Sequence, residues 1–466
     1  MDSSFKGRKV LVVGMGRSGL AALDLLRKHG AVVTMTDSRS ERELAAEMRL
    51  LREQGIPAEA GAHSEKSFLE SDLVVLSPGV PFDLPPLQKA KAEGVPIIGE
   101  LELGFRFLHG RIIAITGTNG KTTTTTLIGE ILEKAGYEVQ VGGNIGRALS
   151  SFALSTSANS WTVLEVSSFQ LETAPTFRPD IAVFLNVTPD HLDRYQTYED
   201  YFQAKLNLFR NQKPADLAVL NYDDQMLRNA ARELHAGIYW FSRQQEVPCG
   251  VFQMENELLW RSKDAEVPLM RLAEIPLKGE HNVGNAAAAA TAAALAKVPL
   301  EKISQGIRNF KGVEHRLEFV VTIAGVHFFN DSKATNIDAA RMALKAFESG
   351  IILILGGRDK GSDFGTLAPE IRQRVKCVIL LGEASQKIRL QLDGLVPIRQ
   401  ATTMGEAVEL AFAQAVRDDT VLLAPACASF DMFENYEHRG REFKKAVNEL
   451  ARRWKNPQPA AARTHE

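Results

Sequence analysis

The residues best suited to chemistry are the run Gly117, Thr118, Asn119, Gly120, Lys121, Thr122 and Thr123. Consecutive backbone N–H groups, a lysine and hydroxyls at a strand-to-helix junction form the donor set that wraps the phosphates of a nucleoside triphosphate and holds its magnesium. The run departs from the full GxxxxGK[ST] pattern at Ile115, where that pattern has glycine, yet the shorter loop still places Lys121 correctly. A Gly-rich turn with a solvated lysine is the plainer alternative. Glu165 lies at the carboxyl end of a strand, Thr162 to Val166, where ligands of parallel sheets bind, and suits a magnesium ligand. After the next strand comes the polar cluster Asn186 to Asp193, whose His191, flanked by acids, suits metal or substrate contact. Thr197 and Asp200 read as a capping box, so a helix begins near Tyr198. Around that helix Lys205 falls inside the apolar arc of Tyr201, Phe202, Leu206, Leu208 and Phe209. Burial there favours a neutral amine, which can react, for example with carbon dioxide to give a metal-ligating carbamate. A snorkelling lysine whose stem covers apolar surface is the other reading.

Two further sets of loops carry chemistry. Gly14, Gly16 and Gly19 stand between a β-branched run and a helix, and Asp37 ends the next strand. Such glycines let a phosphate approach a helix N-terminus, and the acid can reach a ribose or base edge, as in a dinucleotide-type site. Near the other end of the chain, Asn330 to Asn336, Gly356 to Gly361 and Ala426 to Asp431 are polar loops that each follow a strand. One such loop is an ordinary connection; three on one sheet edge describe a site.

The elements that position these residues alternate strand and helix, which argues for parallel sheets. They group into three α/β units: residues 1–100, 101–313 and 314–466. The last opens with a hairpin, Leu317 to Ile323 and Val326 to Phe329 around Ala324-Gly325. With 466 residues, 45% apolar and 24% charged, the chain can bury several cores. A net charge of −2 gives no field for holding a nucleic acid or an anionic membrane, so anionic ligands must be met by local positive groups. Cys249, Cys377 and Cys427 have neither zinc spacing nor an even count, as expected in the cytoplasm. No segment has the length and apolarity of a membrane span; Ala286 to Ala296 reads as a tightly packed soluble helix. Asn456 to Glu466, with two prolines and no large apolar side chain, reads as a frayed tail.

In order, Gly14-x-Gly16-x-x-Gly19, TGTNGKTT, EVSSFQL, NVTPDHLDRY, GEHNVGNAAAA, NDSKATN, GGRDKG and APACASFDMFENYEHRGREF cover nearly the whole chain, and together they resemble the Mur ligase family. NDSKATN and GGRDKG look like the branch that adds D-glutamate. The resemblance implies an α/β fold of three domains: a Rossmann-like N-terminal domain for the UDP substrate, a central P-loop ATPase-like domain for ATP and a Rossmann-like C-terminal domain for the amino acid. It implies a monomeric ATP-dependent amide ligase of cytoplasmic peptidoglycan precursor synthesis, acting on UDP-N-acetylmuramoyl-L-alanine and D-glutamate through an acyl phosphate. Carried over residue by residue, Lys121 would contact the β- and γ-phosphates, and Thr122 and Glu165 one magnesium. His191 and a carbamylated Lys205 would hold a second magnesium that bridges the substrate carboxylate and the γ-phosphate. Asn285 would meet the adenine, with Arg316 and Asp331 near the ribose and phosphates. Ser18, Asp37, Ser38, Arg39 and Gly79 would hold the uracil and diphosphate, and Asn144 the sugar or alanyl portion. Lys333, Thr335, Lys360, Ser429 and Tyr436 would bind D-glutamate. Another amino-acid-adding Mur ligase or a folylpolyglutamate-synthetase-like enzyme is the nearest alternative. A nicotinamide-dependent dehydrogenase would leave Lys121, Glu165 and Lys205 without a role, and a nucleotide-switched regulatory module would not need the three C-terminal loops.

Overall fold

The computed structural model describes residues 5–190, 194–277, 279–359 and 361–455. His191, Lys360 and the segment 456–466 lie outside these residues. The chain forms three sheets in two compact units, one of Met1–Ile275 with Val283–Phe310, the other of Pro276–Asn282 with Lys311–Glu466.

In the first unit, β1 (Lys9–Val13), β2 (Val32–Asp37), β3 (Ala58–Ala60), β4 (Leu73–Leu76) and β5 (Ile97–Gly99) make a parallel sheet of order β3-β2-β1-β4-β5. Along β1, Val10 and Val12 enter one core while Leu11 and Val13 enter another, the pattern of a sheet covered on both faces. Strand order reverses at β1, and the carboxyl ends of strands at such a switch point frame a crevice for ligands.

The same unit contains a second sheet of β6 (Arg111–Thr116), β7 (Val139–Gly143), β8 (Trp161–Glu165), β9 (Ile181–Phe184), β10 (Leu217–Asn221), β11 (Gly237–Ser242), β12 (Gly250–Met254), β13 (Glu257–Arg261) and β14 (Glu266–Arg271). Its order is β14-β13-β12-β11-β10-β9-β6-β8-β7. Strand β6 lies between β8 and β9, so the segments leaving these three strands, with Gly117–Thr122, Ser167–Ser168 and Asn186, emerge side by side. Strands β12 to β14 pair antiparallel, and Pro268 sits on the edge strand, where its missing N–H breaks no interior ladder. The two sheets are joined through the helix Glu100–Phe105. A Cβ at Gly104 would lie 2.6 Å from Leu149, and Glu100 Oε1 accepts the Ser150 N–H at 2.6 Å.

The second unit holds β15 (Glu318–Ile323), β16 (Val326–Asn330), β17 (Ile351–Leu355), β18 (Val375–Leu380), β19 (Ile398–Gln400) and β20 (Thr420–Leu423) in the order β15-β16-β20-β17-β18-β19. Strands β15 and β16 are the expected hairpin, with Ile323 opposite Val326; the other pairs are parallel. Strand β20 lies between β16 and β17, which brings the three polar loops to one edge, as their placement after strands predicts. The helix Tyr436–Lys455 closes the unit by burying Phe443 and Val447 among Ala407, Val408 and Ala411. The sequence reading passed over this helix, because its charged faces and Gly440 dilute the apolar stripe. The glycine is required by packing, since a Cβ there would collide with the ring of His315.

Candidate active site

The loop between β6 and the helix Lys121–Lys134 turns on two glycines in the left-handed half of backbone space, Gly117 (φ 148°) and Gly120 (φ 85°). Asn186 fixes its shape: its carbonyl accepts the Thr118 N–H at 3.0 Å, its Oδ1 accepts the Asn119 N–H at 2.9 Å, and its Nδ2 donates to Asn119 O at 3.0 Å. Lys121 Nζ folds over the loop and donates to Gly117 O at 2.7 Å and Thr118 O at 2.8 Å. Thr122 and Thr123 are buried behind it. A Cβ at Gly120 would collide with Asn285 Oδ1, so Asn285 lies against the loop itself. Both oxygens of buried Glu165 are held: Oε2 accepts from Thr122 Oγ1 at 2.7 Å and Oε1 from Asn144 Nδ2 at 2.9 Å. A hydroxyl and a carboxylate joined at the loop are hard oxygen donors of the kind magnesium takes.

Lys205 reaches the same loop from the helix Tyr198–Leu206, which begins with the expected Thr197–Asp200 capping box. Its side chain is 2% exposed, its Nζ donates to Gly117 O at 3.0 Å, and it lies 4.5 Å from the centre of the Tyr201 ring. Burial, reinforced by the positive charge of Lys121, pushes its pKa well below the usual lysine range, against the opposing pull of Asp190 and Glu165. The buried reading of Lys205 therefore holds over the snorkelling one.

A cavity of about 540 Å³ opens at the carboxyl edge of the first sheet. Ser18, Asp37, Ser38, Arg39 and Gly79 line it, as does Asn144 from the second sheet. Asn144 thus touches both this cavity and Glu165. Asp37 is already engaged: Oδ2 accepts Met15 N–H at 2.7 Å and Arg39 Nη2 at 2.8 Å, and Oδ1 accepts Arg39 N–H at 2.9 Å and Arg39 Nε at 3.1 Å. Burial raises its pKa, but these bonds outweigh that effect and hold it at about 2. Arg17 and His63 also line the cavity and were not singled out in the sequence.

In the second unit, Asp331 is buried, accepts the Leu317 N–H at 3.2 Å and is pushed up to about 6 by burial, against the nearby charges of Arg316 and Lys333. Lys333 Nζ lies 5.1 Å from the centre of the Tyr436 ring, and the Thr335 N–H bonds to Lys333 O at 2.8 Å. Ser429 is buried in the loop after β20, which pairs with the loop after β17 through Arg358 and Ala428 (2.9 and 3.0 Å). Glu314, His315 and Glu318 also cluster, but there the ammonium of Lys444 sits at 2.5 and 2.9 Å from the two carboxylates and supplies their positive charge.

The residue that organises this edge is Arg439, which the sequence reading did not single out. It is 2% exposed and donates to Ser332 O (2.8 Å), Ser332 Oγ (3.0 Å), Cys427 O (3.1 Å) and Ala428 O (3.3 Å), tying two site loops to the last helix. Burial lowers its pKa to about 10, so it stays charged at neutral pH. The signal was available: Arg439, Phe443 and Val447 recur at four-residue spacing, which puts the arginine on the buried stripe. Arg439→Met is expected to destabilise the second unit by on the order of 3 kcal/mol, because it leaves several buried acceptors unpaired. Urea unfolding measures this, and a change below about 0.5 kcal/mol would remove Arg439 from this role.

Comparison with known proteins places the chain in a family. Family models match as Mur ligase MurD-like, N-terminal domain over residues 8–99, Mur ligase middle domain over 115–293 and Mur ligase, glutamate ligase domain over 315–427. The UDP-N-acetylmuramoylalanine–D-glutamate ligase of Acidobacterium capsulatum is 53% identical over 97% of this chain and 99% of its own. That of Koribacter versatilis is 49% identical over 96% and 98%. In fold, the chain is similar to UDP-N-acetylmuramate-alanine ligase MurC of Thermotoga maritima, with a TM-score of 0.60 at 23% identity over 95% of this chain and all of the other. Family models span all three α/β units and the curated relatives match almost the whole length of this chain, so the chain belongs to the Mur ligase family.

Proposed function

We propose that the protein joins the amine of D-glutamate to the carboxylate of UDP-N-acetylmuramoyl-L-alanine, converting ATP to ADP and phosphate, as a monomer in the cytoplasm. Among the described residues no helix is long and apolar enough to cross a membrane. The observation that carries the reading is the bridge from Asn144 to Glu165 to Thr122: a side chain lining the nucleotide-sized cavity is hydrogen-bonded to the acid that braces the phosphate loop. A carboxylate held in that cavity is next to the phosphates of an ATP held by the loop.

A carboxylate resists attack by an amine, so its oxygen first attacks the γ-phosphorus and ADP leaves; the amine nitrogen then attacks the acyl carbon, loses a proton and expels phosphate. The backbone N–H groups of the loop cradle the phosphates, and Lys121 balances the charge on the transferring group. Thr122 and Glu165 would hold one magnesium, and His191 with a carbamate on Lys205 a second; magnesium neutralises phosphate oxygens. Carbamate formation needs a neutral amine, and burial of Lys205 beside Lys121 favours that form. In this reading Asn285 contacts the adenine, and Arg316 and Asp331 the ribose and phosphates.

D-glutamate brings two carboxylates and one amine that must arrive neutral, so its site needs fixed positive charge and hydroxyls around the carboxylates. Lys333, Lys360, Thr335, Ser429 and Tyr436 meet that requirement. Phosphate release from ATP with UDP-N-acetylmuramoyl-L-alanine and a panel of D-glutamate, L-alanine, L-lysine and D-alanyl-D-alanine tests the proposal. Release with D-glutamate alone is expected; equal release with another amino acid would overturn the assignment of the amine substrate.

A further inference from the structure

The lining of the cavity at the first sheet carries an unbalanced positive charge. Its charged and imidazole lining residues are Arg17, Asp37, Arg39 and His63. Asp37 and Arg39 form a closed pair, doubly bonded at 2.8 and 3.1 Å, and cancel. His63 has its Nδ1 on Thr36 Oγ1 at 2.9 Å, and burial favours its neutral ring over the pull of Asp37 and Glu59. Arg17 is left. Among the described residues it makes no ion pair, and its guanidinium meets a backbone carbonyl, Gly146 O, at 3.3 Å. A guanidinium has five N–H donors in a planar fork, and this contact engages one of its nitrogens.

We propose that Arg17 is a binding residue for the diphosphate of the UDP substrate. This rests on the proposed function and adds a residue to its site. A nucleotide diphosphate ester brings two negative charges to a lining that without Arg17 would be close to neutral, and a guanidinium matches phosphate oxygens with two parallel N–H bonds. Arg17 directly follows Gly16, where a Cβ would meet nothing within 4 Å, so there is open space beside the arginine on the loop that ends at the helix Arg17–Lys28. The cavity, about 540 Å³, is of the size that takes a small nucleotide.

The competing role is structural, a strap from the β1 loop to the segment after β7 through Gly146 O. Arg17→Gln can still donate to that carbonyl but carries no charge, and Arg17→Lys keeps the charge. Binding of UDP and of uridine to the full-length protein and both variants, by calorimetry and ligand-detected NMR, separates the two roles. Arg17→Gln is expected to weaken UDP about ten- to hundredfold while uridine changes less than about twofold, Arg17→Lys recovers most of the loss, and the difference shrinks at high salt. Equal weakening of UDP and uridine, or UDP binding unchanged in Arg17→Gln, overturns the proposal. A wild type that binds neither would instead overturn the UDP-substrate reading on which it rests.

Discussion

Lys121→Ala is expected to lower kcat for phosphate release by more than about a hundredfold, the loss that follows removal of one preorganised contact to a charge-bearing group in transfer. The fold should survive. The glycine φ values and the Asn186 bonds hold the loop independently of the lysine. Steady-state phosphate release together with thermal unfolding checks this; near-wild-type turnover would take the loop out of the chemistry. The variant has a second effect. The charge of Lys121 is one of the two causes that lower the Lys205 pKa, so removing it raises that pKa and reduces the neutral amine at a given pH.

The other large effect is at Lys205. Incubation with carbon-13-labelled bicarbonate is expected to produce a carbamate carbonyl signal that is absent in Lys205→Arg, and that variant is expected to lose about a hundredfold or more in kcat by losing an anionic contact in the site. Carbamate forms from the neutral amine, so occupancy should rise with pH through the lowered pKa of Lys205. In Lys121→Ala the same rise should be displaced to higher pH. A carbonyl signal that persists in Lys205→Arg would place the carbamate elsewhere and refute the assignment.

Much of the site was legible because it depends on local order. A strand followed by glycines and a lysine can form a phosphate loop from its own backbone, and the Thr197–Asp200 box starts a helix on which the position of Lys205 follows from 3.6-residue periodicity alone. The three C-terminal loops were readable for the same reason: each follows an apolar strand, and parallel strands deliver their carboxyl ends to one edge. Arg439 was missed although its helical spacing was visible, since an arginine in a charged helix reads as solvated until the helix is packed. The antiparallel extension at β12 to β14 was missed because charges and Pro268 blur its alternation.

The sequence by itself determined the order of the loops, the strand-to-helix junctions that hold them and the place of Lys205 within the apolar arc of its helix, because these follow from periodicity, turn chemistry and caps within short stretches of chain; its burial was decided by packing. Only the tertiary structure decided which side chains complete one another. Glu165 takes Thr122 from one loop and Asn144 from another, Asp37 is saturated by Arg39 and Met15, and Arg439 joins Cys427 of the preceding loop to Ser332, which is far away in the chain. The reason is that a buried polar group must be satisfied by whatever the packed sheets bring within about 3 Å of it, and strand order, which sets those neighbours, is a property of the whole fold.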